Sequence, residues 1–129
     1  MRWWDIPAVH AIETSIFMTD PWSVEQFWSE LSQPTRKYFV AAVDETIVGY
    51  AGSFVLSPEA DVQTIGVAVD HQGEGIGALL LTTLIEHAIS AQAIQLILEV
   101  RSDNGAAIAM YQRFGFERIS SRPNYYAPD

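Results

Sequence analysis

The chain has no cysteine. That excludes disulfides, thiolate metal ligands and a cysteine acyl-enzyme, and it fits a reducing compartment, so a cytoplasmic location is expected. Basic residues are scarce: 7 Lys and Arg stand against 16 Asp and Glu, for a net charge of −9. A surface of that sign argues against a nucleic-acid partner. It suits a basic peptide through long-range attraction, and it also keeps a protein soluble. No apolar run approaches the ~18 residues of a membrane helix, so no membrane partner is expected. Asp5, His10, Glu13 and Asp20 interrupt the first segment, which therefore lacks a signal-peptide core. His10, His71 and His87 have no ligand-like spacing, and no metal site is read. Repeats, linkers and low-complexity stretches are lacking as well. At 129 residues the expectation is one domain, 1–129, able to bury roughly two-thirds of its unfolded surface.

What the chain does have is concentrated between Ile65 and Leu84. The β-branched residues Ile65, Val67 and Val69 stop at Asp70, and Gly73, Gly75 and Gly77 follow. Apolar residues then recur at Ile76, Leu79, Leu80 and Leu84, which is helical spacing. The pattern reads as strand, glycine loop, helix. A helix N-terminus offers unpaired N–H groups and the positive end of a dipole, and glycines let phosphates approach the backbone. Neither a Gly-Lys-Ser/Thr loop nor the dinucleotide spacing G-x-G-x-x-G is present. By itself the loop also admits a plain flexible turn.

Taken in order, Arg2-Trp3-Trp4 reads as the end of a short first strand. Asp5 is an N-cap and Pro7 suits a first helical turn. Ile6, Val9, Ile12 and Ile16 form an amphipathic helix with Glu13 outward. Asp20-Pro21-Trp22-Ser23 is a turn, and Ser23 with Gln26 forms a capping box for a second helix through Leu31. Strands are expected at 38–43, 46–56 and 61–69, the first two joined tightly at Asp44-Glu45. Gly49 and Gly52 inside the second mark a bulge or a close neighbour. After the helix 75–90, the segment 94–100 is apolar enough to be a central strand. A strand–helix–strand crossover of this size implies parallel pairing. A helix over 106–114, Gly115 as its C′ residue and a last strand from Phe116 complete an α/β chain with a mixed sheet and helices on both faces.

That order, with Gln72-x-x-Gly75-x-Gly77 after a strand and opening a helix, resembles the GNAT N-acetyltransferases and their acetyl-CoA pyrophosphate loop. Four further stretches resemble one branch, the bacterial ribosomal-protein N-terminal-alanine acetyltransferases (RimI type). They are Asp20-Pro21-Trp22-Ser23, Leu98-Glu99-Val100-Arg101 with Asn104, the helix end Ala109 to Phe116, and Asn124-Tyr125-Tyr126. The resemblance implies an acetyl-CoA-dependent transfer to the α-amine of a protein N-terminus, by a ternary complex, in a protein expected to be a monomer. Acetylation of a small amine or a lysine, or a silent acyl-CoA-binding domain, are the alternatives.

The transfer needs a base for the amine, donors for the oxyanion and a proton for the departing thiolate. Strand alternation puts Leu96, Leu98 and Val100 on one face and Ile97, Glu99 and Arg101 on the other; an acid in so apolar a strand is costly unless used or paired. The resemblance makes Glu99 the general base. It makes Tyr111 the general acid beside the cofactor sulfur, although Ile108, Tyr111 and Phe114 also share a core-like helical spacing. The backbone from Gln72 and Gly73 through Glu74, Gly75, Ile76 and Gly77 to Ala78 would hold the pyrophosphate. Val67, Ala68 and Val69 would pair with the pantetheine arm. Asn104 would contact the cofactor or serve as an N-cap, and Trp22, Tyr125 and Tyr126 would line the peptide groove.

Two departures stand out. The loop carries Glu74 and no Arg or Lys, whereas the family's is usually basic. The chain also stops soon after Asn-Tyr-Tyr, where the family continues into a final strand beside the central one. That strand is expected to be lacking, which would open the apolar edge of 96–100 to the 116 strand or to another chain.

Overall fold

A computed structural model describes residues 1–17, 20–99, 111–114, 117–118 and 124–127, with the backbone alone at 99, 117–118 and 124–127. The elements are α1 (Ile6–Ile16), α2 (Val24–Leu31), β1 (Arg36–Val43), β2 (Thr46–Leu56), β3 (Glu59–Val67), α3 (Ile76–Ser90), β4 (Gln95–Glu99), β5 (Glu117–Arg118) and β6 (Asn124–Ala127). The sheet order is β1-β2-β3-β4-β6-β5. No described helix is long and apolar enough to cross a membrane.

Local chemistry explains most of these elements. Ser23 caps α2 from both sides: its Oγ accepts from the Gln26 amide at 3.1 Å, and its own amide donates to Gln26 Oε1 at 2.8 Å. Asp44 and Glu45 both adopt left-handed backbone, φ 50° and 68°, which matches the twist of a two-residue hairpin between β1 and β2. The register between β2 and β3 shifts at Gly52/Ser53, as the strand glycines suggested. Gly52 also lies under the Tyr38 ring, and Gly49 against Ile76 and Leu80.

The expected first strand is instead a 3₁₀ turn, Trp3–Asp5. The Arg2 amide donates to Asp5 Oδ2 at 2.8 Å, and the Asp5 amide donates to the Arg2 carbonyl at 2.9 Å. This closure turns the chain before it can pair with β1, and the Met1 ammonium donates to that strand at the Tyr38 carbonyl.

Two layers of apolar side chains enclose the sheet. On one face α3 packs Leu80, Leu81, Leu84 and Ala88 on Ala51, Ala60, Leu96 and Leu98. On the other, Ile6, Val9, Ile12 and Phe27 from α1 and α2 meet Tyr38 and Tyr50. Glu13 belongs to that second layer and is 2% exposed, not outward. Positions 6, 9, 13 and 16 form one stripe at i, i+3 and i+4 spacing, so Glu13 faces the sheet with its apolar neighbours.

β4 lies inside the sheet, parallel to β3 and antiparallel to β6. Its far edge is therefore paired. The slot beside β4, expected to fall to the 116 strand or to another chain, is taken by Asn-Tyr-Tyr itself: β6 inserts between β4 and β5, with Glu99 opposite Asn124 and Arg118 opposite Tyr125. Self-association through an open β4 edge loses its basis. The physical reason is that β4's unmade backbone hydrogen bonds are satisfied by the nearest extended segment, and here that segment is 124–127.

Candidate active site

β3 runs on beyond its last described pairing with β4, and the stretch 63–67 is the fork of the two strands. Their ladder runs from Glu59↔Gln95 to Val62↔Leu98. β3 continues to Val67, held on its other side by β2 through Gly49↔Val67. Glu99 pairs away from it, with Asn124. The backbone of Glu99, singled out in the sequence as an acid in an apolar strand, thus stands at the described end of β4, where the fork begins.

β3 passes into a 3₁₀ turn, Val69–His71, and then the glycine loop. The turn is tightly closed. The Ala68 amide donates to the Val48 carbonyl at 2.8 Å, so it is committed to β2 rather than available to a pantetheine arm. The Gln72 side chain donates to the Val67 carbonyl at 3.2 Å, and the His71 amide to the Ala68 carbonyl at 2.9 Å.

The loop itself has the form of an anion cradle. Gly73 and Gly75 are left-handed, φ 83° and 84°, a backbone that side chains disfavour. A Cβ at either would meet nothing within 4 Å, so this backbone is open to a ligand. Gly75 is the N-cap of α3 and brings no side-chain cap. The first intrahelical bond is Leu79 N–H to the Gly75 carbonyl, which leaves the amides of Ile76, Gly77 and Ala78 at the positive end of the helix dipole. These groups fit a pyrophosphate. Glu74 is turned to a partner within the loop: its Oε1 lies 2.9 Å from His71 Nδ1, and both side chains are partly exposed. The Glu74 carboxylate is thereby held by a neighbour within the loop.

Residues 111–113 are helical. Tyr111 is 4% exposed, in one packed cluster with Leu81, Leu96 and Leu98. Leu96 and Leu98 place it on the face of β4 that α3 covers. Burial pushes its phenol up to about 12. Tyr38 and Tyr50 are raised as well, by burial first and by their carboxylate neighbours Glu30 and Glu13. A phenol raised above its unfolded value near 10 contributes stability fully present below pH ~10 and lost as pH climbs through the folded value. For Tyr111 the loss between pH 10 and 12 is about 3 kcal/mol. The thermal midpoint is therefore expected to hold from pH 7 to ~9.5 and to fall steeply above pH ~10, in step with tyrosinate absorbance.

The Trp22 ring is half-buried, with centroids 5.3 Å from Phe27 and 6.3 Å from Tyr38. It is anchored in the α1–α2 layer. Tyr125 and Tyr126 lie on β6 opposite Leu98 and Ile97. Asn104 lies outside the described residues. Sequence reasoning missed Glu13, whose carboxylate accepts from the Trp22 amide at 2.9 Å and from the Tyr50 hydroxyl. The 6-9-13-16 stripe was the signal that could have found it.

The chain matches the model of the acetyltransferase (GNAT) family over residues 6–116. It is 41% identical to the N-alpha-acetyltransferase RimI of Mycobacterium tuberculosis (strain ATCC 25618 / H37Rv), over 89% of this chain and 74% of that protein. It is 34% identical to a putative [ribosomal protein bS18]-alanine N-acetyltransferase of Bacillus subtilis (strain 168), over 98% of this chain and 83% of that protein. The crystal structure of the ribosomal-protein-S18-alanine N-acetyltransferase from Escherichia coli superposes with a TM-score of 0.88 at 28% identity, covering 99% of this chain and 90% of that one. A forked mixed sheet, a glycine cradle at the N-terminus of α3 and a family match across most of its length show that this chain belongs to the acetyltransferase (GNAT) family.

Proposed function

We propose that this protein acetylates the α-amine of a protein N-terminus, with the N-terminal alanine of a small-subunit ribosomal protein as acceptor. Membership of the family makes the chain an N-acetyltransferase that draws on acetyl-CoA. The observation that supports the finer reading is the open glycine cradle at the start of α3, on a sheet whose β4 carries Glu99 and packs Leu96 and Leu98 with Tyr111. The names of the similar proteins supply the acceptor.

Bound acetyl-CoA supplies the acetyl thioester, with its pyrophosphate on the loop amides from Gly73 to Ala78 and Asn104 as a further contact. Glu99 takes a proton from the acceptor ammonium, directly or through a water. An α-amine, with a pKa near 7.7–8.0, loses that proton far more readily than a lysine does. The N–C bond forms, the C–S bond breaks, Tyr111 gives its proton to the leaving sulfur, and the second proton that the nitrogen sheds as the amide forms returns the tyrosinate to the phenol through solvent. With its pKa at about 12 the phenol holds that proton at neutral pH. Without cysteine no cysteine acyl-enzyme can form, which favours direct transfer in a ternary complex. Trp22, Tyr125 and Tyr126 line the peptide groove, and the net charge of −9 draws in a basic acceptor.

The test is intact-mass spectrometry of two basic peptides incubated with acetyl-CoA and this chain. One begins with a free alanine; the other has a blocked N-terminus and one free lysine. A single acetyl group on the free N-terminus alone is the expected result. Acetylation of the lysine peptide instead, or of neither, would overturn the reading.

A further inference from the structure

Glu13 is the one buried charged side chain among the described residues, and the chemistry above makes no use of it. Both of its oxygens are engaged. Oε2 accepts from the Trp22 amide at 2.9 Å, and Oε1 accepts from the Tyr50 hydroxyl. Burial and the carboxylate itself push the Tyr50 phenol up, so it remains a donor.

The tie reaches the fork. Tyr50 pairs with Gly66, one residue before β3 ends at Val67. A Cβ on Gly66 would lie 2.7 Å from the Tyr50 hydroxyl oxygen and 2.7 Å from Ile16 Cδ1, so the phenol and the end of α1 rest directly on that backbone. One carboxylate thus fastens α1, the Trp22 turn and the end of β3 together. The turn is under local strain: Asp20 is left-handed, φ 52°.

Gluing a helix to a sheet does not require a charge, and apolar side chains do it without the desolvation penalty. A carboxylate adds direction: it fixes where the Trp22 amide, and hence that turn, can sit. We propose that Glu13 is a positioning residue for the acceptor, setting the pose of the Trp22 turn through its amide while touching neither peptide nor acetyl-CoA. The inference rests on the acceptor reading above, in which Trp22 lines the peptide groove.

Steady-state kinetics with the alanine peptide and acetyl-CoA, on the wild-type chain and on Glu13→Ala, Glu13→Gln and Tyr50→Phe, test it. Glu13→Ala and Tyr50→Phe are expected to raise the peptide KM about tenfold or more, with the acetyl-CoA KM within about twofold. Glu13→Gln should stay close to wild type, because its amide oxygen can accept from Trp22 and its amide N–H can donate to the Tyr50 oxygen. An unmoved peptide KM, a parallel rise in the acetyl-CoA KM, or a Glu13→Gln defect equal to that of Glu13→Ala would each overturn it. Where Glu13→Ala does not fold, Tyr50→Phe, which deletes a single hydroxyl, carries the comparison. Hydrogen exchange on the wild-type chain adds a variant-free reading: the peptide should slow exchange at residues 20–23, and unchanged exchange there counts against the proposal. Wild-type silence on the peptide would remove the acceptor reading and this inference with it. Wild-type turnover with unmoved variants would remove the inference alone.

Discussion

Glu99→Gln is expected to lower kcat roughly 10²- to 10⁴-fold, with the acetyl-CoA KM within about twofold, because that is what removing a general base costs. The amide keeps the shape of the carboxylate and cannot accept the proton. Glu99 closes β4, and its backbone pairs with Asn124 of β6, so the substitution leaves the ladder intact. The pH profile should change with the rate. In the wild-type chain the acid limb of kcat/KM reflects the base and the acceptor amine together; in the variant only the amine's own titration should remain. Tyr111→Phe should give a smaller loss, confined to the step in which the thiolate leaves. Turnover of Glu99→Gln within about threefold of wild type would remove the base assignment and leave family membership untouched.

Gly52→Ala is expected to destabilise the fold by about 3 kcal/mol or more. A Cβ there would lie 2.1, 2.3 and 2.5 Å from Tyr38 Cε2, Cζ and Cδ2. The ring has nowhere to go. Tyr38 is buried, and its hydroxyl donates to Glu30 at 2.9 Å, an acid also held by Arg36 at 3.2 Å. Its faces meet Trp22 and Phe27. The alternative is to move β2 at its bulge, which would shift the register that sets the fork. Against a total stability of ~5–15 kcal/mol this is a large fraction, and the thermal midpoint should fall by roughly 10 °C. The same substitution in a Tyr38→Leu background should cost far less, since the two positions are in contact and their effects do not add. A fall of under ~3 °C in the wild-type background would show that the contact relaxes cheaply.

Much of the fold was legible because its causes are local. The capping box at Ser23 and Gln26, the Asp44-Glu45 hairpin and the strand-loop-helix from Ile65 are each set by residues a few positions apart. The central place of the 94–100 segment followed from its apolar residues, interrupted only at Gln95 and Glu99, a composition that suits a strand covered on both faces. The phosphate cradle was legible for the same reason: glycines at left-handed positions and a helix start are properties of one short stretch.

What escaped the sequence depends on partners far along the chain. Glu13 looked outward from its place in α1, and it is buried because Tyr50, thirty-seven residues away, presents a hydroxyl to it. The Ala68 amide could not be known to belong to Val48. The pair at His71 and Glu74 lay within reach of sequence reasoning, yet its geometry depends on how the 3₁₀ turn closes. Composition, periodicity and the glycine loop determined by themselves that this is an α/β chain with a strand, a glycine turn and its long helix in succession. The tertiary structure alone decided that residues 124–127 fill the slot beside β4, that β3 runs on past its last described pair with β4, Val62↔Leu98, and that a buried carboxylate ties the Trp22 turn to the end of β3. Backbone conformation is chosen largely by neighbours in sequence. Strand pairing and the burial of a charge are chosen by whichever distant group satisfies them in three dimensions.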